Sequence, residues 1–377
     1  MKRRVVILGA TGSIGESAMR VARAMPDRIE IVGLSGRNNT GRLLELAREF
    51  PEATLCAGDE AAAKQLSHDL GRTVLHGEEG LLTLAALPEA DLVLVAIVGT
   101  TGLKPALHAL ENDKDLAVAS KEILVMAGEL VMATAAKMSG RVHPVDSEHN
   151  AIFQCLEGQD PSTVKRLILT CSGGPFRKAD AADLASVTPE QALRHPTWSM
   201  GRKISIDSAT LFNKGLEMIE AKWLFGMPME RVDVIVHPQS IVHSMVEFLD
   251  GSILAQLGST DMALPIQYAL TYPERLTGPC APLDLTALGK LEFEAPRNDL
   301  FPALDLARRA GTAGGTLPAV LNAANEAAVD AFLSSKLPFP GIWESVARAM
   351  DEVPFVEHPT LDQLIAADHA ARLIVGS

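Results

Sequence analysis

The sequence has few of the features that mark nucleic-acid-binding, disordered or membrane-spanning chains. Its net charge is -13 over 377 residues, which argues against a protein that binds a nucleic-acid backbone but permits a local pocket for one small phosphate. Charged residues make up only 21% and hydrophobic residues 47%, so the composition is that of a folded chain with a sizeable core. The length suits two or three domains.

Cysteine is scarce, and long apolar runs are absent. The four cysteines show no C-x-x-C spacing, so we expect buried, reduced thiols and neither a disulfide framework nor a cysteine metal site. No apolar run reaches membrane-spanning length. The first residues lead into a glycine-rich turn, whereas a signal peptide would continue to a cleavage site. We therefore expect a soluble, cytoplasmic protein with neither nucleic acid nor a membrane as its partner.

The segment GATGSIG, residues 9–15, indicates a nucleotide site. It lies between a short apolar run and a helical pattern that ends before Pro26. Glycines in such a turn let backbone amides approach a pyrophosphate at a helix N-terminus, although an ordinary strand–helix turn is the alternative. Strand-like and helix-like segments then alternate to about residue 120, which predicts a parallel, doubly wound sheet.

The end of the second predicted strand lacks the acidic residue that binds the ribose hydroxyls of NAD. Ser35, Gly36, Arg37 and Asn38 stand there instead. A cation with small polar neighbours suits the 2′-phosphate of NADP, whereas the alternative for Arg37 is a solvated loop residue. The pattern favours NADPH as the cofactor.

Two carboxylates follow a short predicted strand in VDSEHN, residues 145–150. In an extended segment, residues two apart point to the same side, so Asp146 and Glu148 would converge, with Ser147 opposite. Two close carboxylates need a cation, and ligation by oxygen alone suits Mg²⁺ or Mn²⁺. A helix start is an equal alternative, with Asp146 or Ser147 as the cap and Glu148 in the first turn.

A third carboxylate lies in SATLFNKGLEMIEAKWLF, residues 208–225, which we predict to be helical. Asn213, Lys214 and Glu217 share one face, so the first two would donate to a phosphate while Glu217 reaches the metal. Glu220 is the rival ligand. An ordinary amphipathic surface helix is the alternative for the segment as a whole.

Three further features are compatible with a bound ligand. The segment 172–174 ends a predicted strand as a possible anion nest or hinge. The irregular stretch around Trp198 suits a lid, while His195 taken alone is more typical of a structural histidine. Gly215 in mid-helix indicates the close approach of a ligand or another chain segment, or tight packing.

The rest of the chain predicts structure without chemistry. Residues 241–259 predict a β-hairpin with an Asp-Gly turn, for sheet structure or a dimer edge. Residues 272–299 are rich in proline and glycine and predict a linker. From about Leu300 the pattern is helical and alanine-rich, with Asn322 and Glu326 as helix-surface or interhelix contacts.

Several motifs together resemble the 1-deoxy-D-xylulose 5-phosphate reductoisomerase family. They are GATGSIG (9–15), GRN (36–38), SKE (120–122), VDSEHNAIFQ (145–154), SGGPF (172–176), HPTWSMG (195–201) and DSATLFNKGLEMIEA (207–221). The last two are specific, whereas the glycine motif alone is not. Ser120 departs from the pattern, because the family usually has Asn there, and Arg37 stands where Lys is also common.

The resemblance implies an NADPH-dependent enzyme that uses Mg²⁺ or Mn²⁺, acts on a sugar phosphate and forms a homodimer. The expected fold class is α/β, with an N-terminal Rossmann-like parallel sheet, an α+β catalytic domain and a C-terminal helical domain. The predicted boundaries are 1–142 for NADPH binding, 143–272 for catalysis, metal and substrate binding and dimerisation, 273–298 for a linker, and 299–377 for the helical domain.

The resemblance also implies roles for individual residues. Metal ligands are Asp146, Glu148 and Glu217. The phosphate end is held by Ser172, His195, Ser208, Asn213 and Lys214. Other substrate contacts are Lys121, Ser147, Glu148, Trp198 and Glu217, and the catalytic residues are Lys121, Glu148 and His195. Cofactor contacts are Thr11, Gly12, Ser13, Ile14, Gly36, Arg37, Asn38, Ser120, Glu122 and Gly201.

The implied reaction is a carbon–carbon cleavage and re-addition that gives a branched aldehyde phosphate, followed by reduction to 2-C-methyl-D-erythritol 4-phosphate. Two other functions stay open at this point. Another NADP enzyme, such as a semialdehyde dehydrogenase, would need Cys171 as its reactive thiol. An NADP-sensing regulator would keep the glycine turn but has no use for three metal-site carboxylates. An assay of NADPH oxidation with and without metal separates the three.

Overall fold

The structure is a computed structural model that describes residues 2–198 and 200–376. Its strands are β1 (Arg3–Leu8), β2 (Ile29–Gly36), β3 (Thr54–Ala57), β4 (Leu75–His76), β5 (Leu92–Val95), β6 (Asp115–Val118), β7 (Val142–Pro144), β8 (Val164–Cys171), β9 (Val232–Val236), β10 (Val242–Phe248) and β11 (Ile253–Leu257).

The helices alternate with the strands at first and dominate the last part of the chain. They are α1 (Ser13–Ala24), α2 (Thr40–Glu49), α3 (Glu60–Leu70), α4 (Gly77–Ala85), α5 (Leu103–Glu111), α6 (Lys121–Lys137), α7 (Ser147–Leu156), α8 (Ala181–Leu184), α9 (Pro189–Ala192), α10 (Arg202–Ala209), α11 (Phe212–Phe225), α12 (Ala263–Thr271), α13 (Leu285–Leu288), α14 (Ala303–Ala313), α15 (Leu317–Leu333), α16 (Gly341–Glu352) and α17 (Leu361–Gly376). Short 3-10 helices span Thr100–Gly102, Pro161–Thr163 and Met229–Arg231.

Unit 1, the first of two compact units, comprises Met1–Ile123, Glu129–Asn150 and Asp261–Pro282. Within the described residues its sheet has seven parallel strands in the order β4-β3-β2-β1-β5-β6-β7. Every residue of β5 is buried, as expected for a parallel strand that is covered on both faces. The predicted Rossmann-like sheet is confirmed, and its strand order reverses between β1 and β5, where such folds bind ligands.

Unit 2 comprises Leu124–Gly128, Ala151–Thr260 and Leu283–Ser377. Its sheet has the order β11-β10-β8-β9; β8 and β9 are parallel, and β10 is antiparallel to β8 and to β11. The hairpin predicted for residues 241–259 is therefore confirmed. Helices α14 to α17 confirm the helical C-terminal region, and their apolar side chains share one core with α10, α11 and β8. Among the described residues, no helix combines the length and apolar character needed to cross a membrane.

The prediction of a continuous helix over residues 208–225 is wrong. Helix α10 ends at Ala209, Leu211 has a left-handed φ of 65°, and α11 begins at the next residue. The hydroxyl of Thr210 lies 3.0 Å from the Ile206 carbonyl and 3.5 Å from the Phe212 backbone nitrogen. A side chain that bonds the backbone in this way competes with helix continuation. The resulting α10–α11 corner separates Ser208 from the first turn of α11.

Gly215 is required by packing between helices. A Cβ atom built on this residue would lie 2.9 Å from the Cβ of Ala307 and 3.1 Å from the carbonyl oxygen of Ala303, both on α14. Only a residue without a side chain lets the two helices approach this closely. Of the interpretations offered by the sequence, the close approach of another chain segment is confirmed.

Candidate active site

The glycine-rich turn of unit 1 joins β1 to α1. Gly9 has a φ of 93°, and a Cβ atom there would lie 2.7 Å from the carbonyl oxygen of Ala96. A Cβ atom on Gly15 would overlap the carbonyl oxygens of Gly9 and Ala10. The N-cap of α1 is Gly12, where an added Cβ atom would have no contact closer than 3.5 Å. The turn therefore leaves the helix N-terminus open to a pyrophosphate, as the fingerprint predicts.

The end of β2 lies beside this turn. Ser35 is buried and bonds to the turn. Its Oγ accepts a hydrogen bond from the Gly9 N–H at 2.9 Å, and its carbonyl accepts one from the Ala10 N–H at 2.8 Å. Ser35 thus fixes the turn and is not on the surface. Gly36 is also buried, and the two residues that follow it, Arg37 and Asn38, are exposed. A cationic side chain at this strand end fits a 2′-phosphate.

Ser120 stands at the position that is usually Asn in the resembled family. Its Oγ lies 2.9 Å from the carbonyl oxygen of Gly99 and 3.0 Å from Oε2 of Glu122. The side chain joins the loop after β5 to the start of α6. Ser120 and Glu122 are both buried, so this contact orders the C-terminal edge of the sheet next to the glycine turn.

Lys121 and Asp146 form an ion pair at the C-terminal edge of the sheet. Their strands, β6 and β7, are neighbours and parallel, so the residues that follow them meet at the same edge. Lys121 Nζ lies 2.8 Å from Asp146 Oδ2, with only 8% and 11% of the two side chains exposed. The family resemblance assigns both residues to the site, but their pairing is visible only in the structure.

The extended geometry assumed for Asp146 and Glu148 is wrong at Glu148. Helix α7 begins at Ser147, and the Glu148 N–H donates to Asp146 Oδ1 at 3.2 Å, so the alternative of a helix start is confirmed. Ser147 Oγ donates to Glu148 Oε2 at 2.6 Å. The carboxylates still lie next to each other, because a capping side chain and the first turn share one helix end.

His149, for which no role was predicted, lies beside the Asp146 carboxylate. Its ring is fully buried, and its Nδ1 lies 3.2 Å from Asp146 Oδ1. Together with Lys121, this ring fixes the orientation of the Asp146 carboxylate. The signal in the sequence was the i, i+3 spacing of Asp146 and His149 at a helix start.

Ser172 and His195 meet in unit 2. Ser172 Oγ lies 2.9 Å from His195 Nε2, while His195 Nδ1 accepts hydrogen bonds from the backbone N–H groups of Thr197 and Trp198 at 3.2 and 2.9 Å. Because Nδ1 is an acceptor, we assign the ring proton to Nε2, which donates to Ser172. Burial lowers the pKa of His195 to about 4 and favours this neutral ring.

This arrangement makes the Ser172 hydroxyl a donor towards any further ligand. Its oxygen accepts from His195 and from the Gly174 N–H at 3.2 Å, so its own hydrogen is available to an anion. Gly174 has a φ of 68°, and a Cβ atom there would lie 2.7 Å from the carbonyl oxygen of Ser208. The loop that carries Ser172 is therefore packed against the C-terminal end of α10.

Asn213, Lys214 and Glu217 share one face of α11, as predicted. Asn213 Nδ2 donates to Glu217 Oε1 at 2.6 Å, and Lys214 forms an ion pair with Glu217 Oε2. Lys214 and Glu217 are both almost fully buried. Glu220, the rival ligand one turn later, is fully buried as well, so burial does not distinguish the two glutamates.

Other predicted contacts take less specific positions. Gly201 is the N-cap of α10, and an added Cβ atom there would meet no other atom within 4 Å. Trp198 is partly exposed in the irregular stretch before α10. Ser199, in the HPTWSMG motif, lies outside the described residues. Asp146 and Glu148 belong to unit 1 and Glu217 to unit 2.

Comparisons with known proteins agree over nearly the whole chain. Residues 5–128 match the sequence model named 1-deoxy-D-xylulose 5-phosphate reductoisomerase, and residues 142–225 and 257–374 match models of its C-terminal domains. A 1-deoxy-D-xylulose 5-phosphate reductoisomerase of Symbiobacterium thermophilum is 54% identical over 379 residues, covering 99% of this chain and 97% of the relative.

Solved structures of the same kind of enzyme have the same fold. The Zymomonas mobilis 1-deoxy-D-xylulose 5-phosphate reductoisomerase, in complex with NADPH, matches with a TM-score of 0.93 and 43% identity, covering 100% of this chain and 98% of that one. A DOX-P reductoisomerase in complex with NADPH, fosmidomycin and magnesium matches with a TM-score of 0.92 and 41% identity, covering 99% and 97%.

Proposed function

This chain belongs to the 1-deoxy-D-xylulose 5-phosphate reductoisomerase family, and on that premise we propose which of its residues perform the family's reaction. The protein is an NADPH- and divalent-metal-dependent enzyme that converts 1-deoxy-D-xylulose 5-phosphate to 2-C-methyl-D-erythritol 4-phosphate in non-mevalonate isoprenoid biosynthesis. The observation that carries this function is the 54% identity to a relative so named over 99% of the chain. A semialdehyde dehydrogenase and an NADP-sensing regulator are thereby set aside.

The metal ligands are Asp146, Glu148 and Glu217. Their oxygen atoms suit Mg²⁺ or Mn²⁺. Each carboxylate also contacts a neighbouring polar side chain, which holds it in place and can give way to the metal. Lys121 and His149 contact Asp146, Ser147 donates to Glu148, and Lys214 pairs with Glu217. When bound, the metal supplies a Lewis acid for the ketone oxygen and its neighbouring hydroxyl, and NADPH supplies a hydride.

The phosphate of the substrate is held by Ser172, His195, Ser208, Asn213 and Lys214. Ser172 offers the hydroxyl hydrogen that His195 leaves available. Asn213 and Lys214 donate to Glu217 in this structure. If Glu217 binds the metal instead, the N–H groups of Asn213 and Lys214 can donate to the phosphate. Because the phosphate is remote from the reacting carbons, its binding energy serves to orient them.

Four residues contact the reacting end or cover it. Lys121, held beside Asp146, stabilises oxyanions as they develop. Ser147 and Glu148 bind the substrate's hydroxyl oxygens at the start of α7. Trp198, in the irregular stretch before α10, covers the substrate and excludes water. Of these, Lys121 and Glu148 are the catalytic residues, together with His195 at the phosphate end.

NADPH is held along the C-terminal edge of the parallel sheet. The pyrophosphate binds at the glycine turn, and the exposed Arg37 and Asn38 bind the 2′-phosphate. The proposed contacts are Thr11, Gly12, Ser13, Ile14, Gly36, Arg37, Asn38, Ser120, Glu122 and Gly201. Ser120 replaces an amide side chain with a shorter hydroxyl, which here bonds Gly99 and Glu122.

The test follows the loss of NADPH absorbance with 1-deoxy-D-xylulose 5-phosphate. A chelator should abolish turnover, and Mg²⁺ or Mn²⁺ should restore it. Glu217→Gln should lower kcat by about a hundredfold or more, because it removes a charged metal ligand, whereas its control Glu220→Gln should stay within about tenfold of the wild type. The reverse order of the two variants would show that Glu220 is the ligand, and metal-independent turnover would contradict the function.

The protein is also proposed to be a cytoplasmic homodimer with the domain boundaries given above. Strand β11 lies at the edge of its sheet, and apolar residues are exposed along it and at the preceding turn. Ile253 is 50% exposed, Leu254 42% and Leu249 67%. An unpaired apolar strand edge is a site for pairing with a second copy of the chain.

A further inference from the structure

Two buried asparagines lie on α15, in a region to which the sequence assigned no chemistry. Asn322 and Asn325 are fully buried, and among the described residues the Oδ1 atom of each has no hydrogen-bond partner. A buried amide oxygen without a partner is destabilising, so packing alone does not account for asparagine at these positions. Each amide nitrogen does have a partner, and the two partners differ.

Asn325 bonds to helix α10. Its Nδ2 donates to Oδ1 of Asp207 at 2.7 Å, and Lys203 Nζ lies 2.9 Å from Oδ2 of the same carboxylate. Asp207 is 1% exposed, and a buried carboxylate needs such partners. Asn322 Nδ2 instead donates to Glu326 at 3.3 Å, within its own helix. Asn325 therefore joins α15 to α10, and Asn322 provides a matched comparison.

The partner of Asn325 directly precedes a residue of the phosphate site. Asp207 is followed by Ser208, whose carbonyl accepts from the Leu211 N–H at 3.3 Å at the α10–α11 corner. The same carbonyl lies against Gly174, two residues after Ser172. A rotation of α10 would therefore displace Ser208 relative to the Ser172 loop and to the start of α11.

We propose that Asn325 is a positioning residue for the phosphate end of the substrate. Through its hydrogen bond to Asp207 it fixes the rotation of α10, so that the Ser208 hydroxyl is directed at the same phosphate as Ser172, Asn213 and Lys214. Asn325 does not touch the substrate and acts through Asp207 and Ser208. The inference rests on the proposed function, because it takes the bound anion to be the phosphate of the sugar phosphate.

The first experiment compares Asn325→Ala with Asn322→Ala in the full-length enzyme with NADPH and Mg²⁺. Asn325→Ala should raise KM for the sugar phosphate about tenfold, the effect of one lost hydrogen bond, while kcat and KM for NADPH change by less than about twofold. Asn322→Ala should leave all three constants near wild type. An unchanged KM for the sugar phosphate, or an equal rise in both KM values, overturns the proposal.

A double-mutant cycle separates positioning from loss of general stability. In a Ser208→Ala background the Ser208 hydroxyl is absent, so Asn325→Ala should raise KM further by less than about twofold. Full additivity of the two effects overturns the proposal. Inhibition by inorganic phosphate gives an independent measure, because its Ki should rise about tenfold in Asn325→Ala and not in Asn322→Ala.

The reversed pair Asp207→Asn with Asn325→Asp guards against a variant that fails to fold. It keeps the net charge and restores an amide–carboxylate hydrogen bond in the opposite direction, so KM should return to within about threefold of wild type. A folded reversed pair with KM still about tenfold raised overturns the proposal. If the wild type shows no turnover of the sugar phosphate, the proposed function fails, while inorganic phosphate binding, followed as a shift in Tm, still decides the role of Asn325.

Discussion

At the scale of single residues, two side chains bear on ligand binding: His195, through the Ser172 hydroxyl, and Arg37, through its charge. The neutral form of His195 leaves the Ser172 hydroxyl to donate, because Nδ1 is occupied by two backbone N–H groups. At the end of β2, the absence of an acidic residue and the exposed Arg37 favour a phosphorylated ribose. Each of these features can be removed by one substitution.

Arg37→Asp should weaken the preference for NADPH. Losing a charge-assisted hydrogen bond to the 2′-phosphate and adding a like charge should lower kcat/KM for NADPH by about tenfold to a hundredfold, with kcat/KM for NADH nearly unchanged. Arg48→Asp, at the exposed far end of α2, is the matched control and should have little effect. Equal kcat/KM for NADH and NADPH in the wild type would contradict the proposal. The measurement is steady-state kinetics with both cofactors.

Protonation of His195 should destabilise the fold at mildly acid pH. The pKa of this ring is about 4 in the folded chain because of burial, against about 6.5 when unfolded. Between these values the unfolded chain binds a proton at His195 and the folded chain does not. The contribution of the neutral ring to the free energy of unfolding is therefore fully present above about pH 6.5 and decreases as the pH falls towards 4.

His195→Gln removes this proton linkage. Between pH 7 and pH 5 the wild type should therefore lose more unfolding free energy than the variant, by roughly 1 kcal/mol after allowance for partial exposure of the ring. Urea unfolding at the two pH values measures the difference. Parallel losses in the two proteins would show that His195 keeps its ordinary pKa.

At the scale of secondary structure, the α10–α11 corner and the contact between α11 and α14 position the residues that we propose bind the phosphate. The corner at Leu211 places Ser208 at the end of one helix and Asn213 at the start of the next. Gly215 then lets α11 lie directly against α14. The orientation of Lys214 and Glu217 on α11 therefore depends on a close helix–helix contact.

Gly215→Ala should destabilise the protein although alanine is the better helix former. The new Cβ atom would lie 2.9 Å from Ala307, and such overpacking costs about 1–3 kcal/mol. Gly41→Ala is the control, because that Cβ atom in α2 would meet only Asn39 Oδ1 at 4.0 Å and should not destabilise. Thermal unfolding of both variants tests this. A Tm for Gly215→Ala equal to or above that of the wild type would show that α14 moves to accommodate the new Cβ atom without loss of stability.

For the whole molecule, the exposed edge at β11 should form the dimer. Ile253→Lys together with Leu254→Lys places two charges on this edge and should convert the dimer to monomer at micromolar concentration. Leu373→Lys, at an exposed apolar position on α17, is the control and should leave the dimer intact. Light scattering after size-exclusion chromatography measures the mass. A monomeric wild type would refute the proposed homodimer.

Local sequence was sufficient for the parts of the fold that depend on neighbouring residues. The glycine spacing predicted the β1–α1 turn, because positive φ at Gly9 and close packing at Gly15 exclude side chains. The spacing of Asn213, Lys214 and Glu217 predicted one helix face. The Asp-Gly turn predicted the β10–β11 hairpin. Each signal lies within a few residues, where backbone geometry fixes side-chain direction.

The tertiary structure decided the contacts between residues far apart in the chain. The family resemblance grouped Ser172 with His195 and Lys121 with Asp146 in one site, but their direct contacts are seen only in the structure. The contact between Asn325 and Asp207 had no signal in the sequence. The sequence also missed the break at Leu211, because residues 208–225 keep a helical pattern through the corner. Such contacts depend on which elements pack together, and that is set by burial over the whole core. The sequence therefore determined the kinds of chemistry available, and the fold determined which side chains act together.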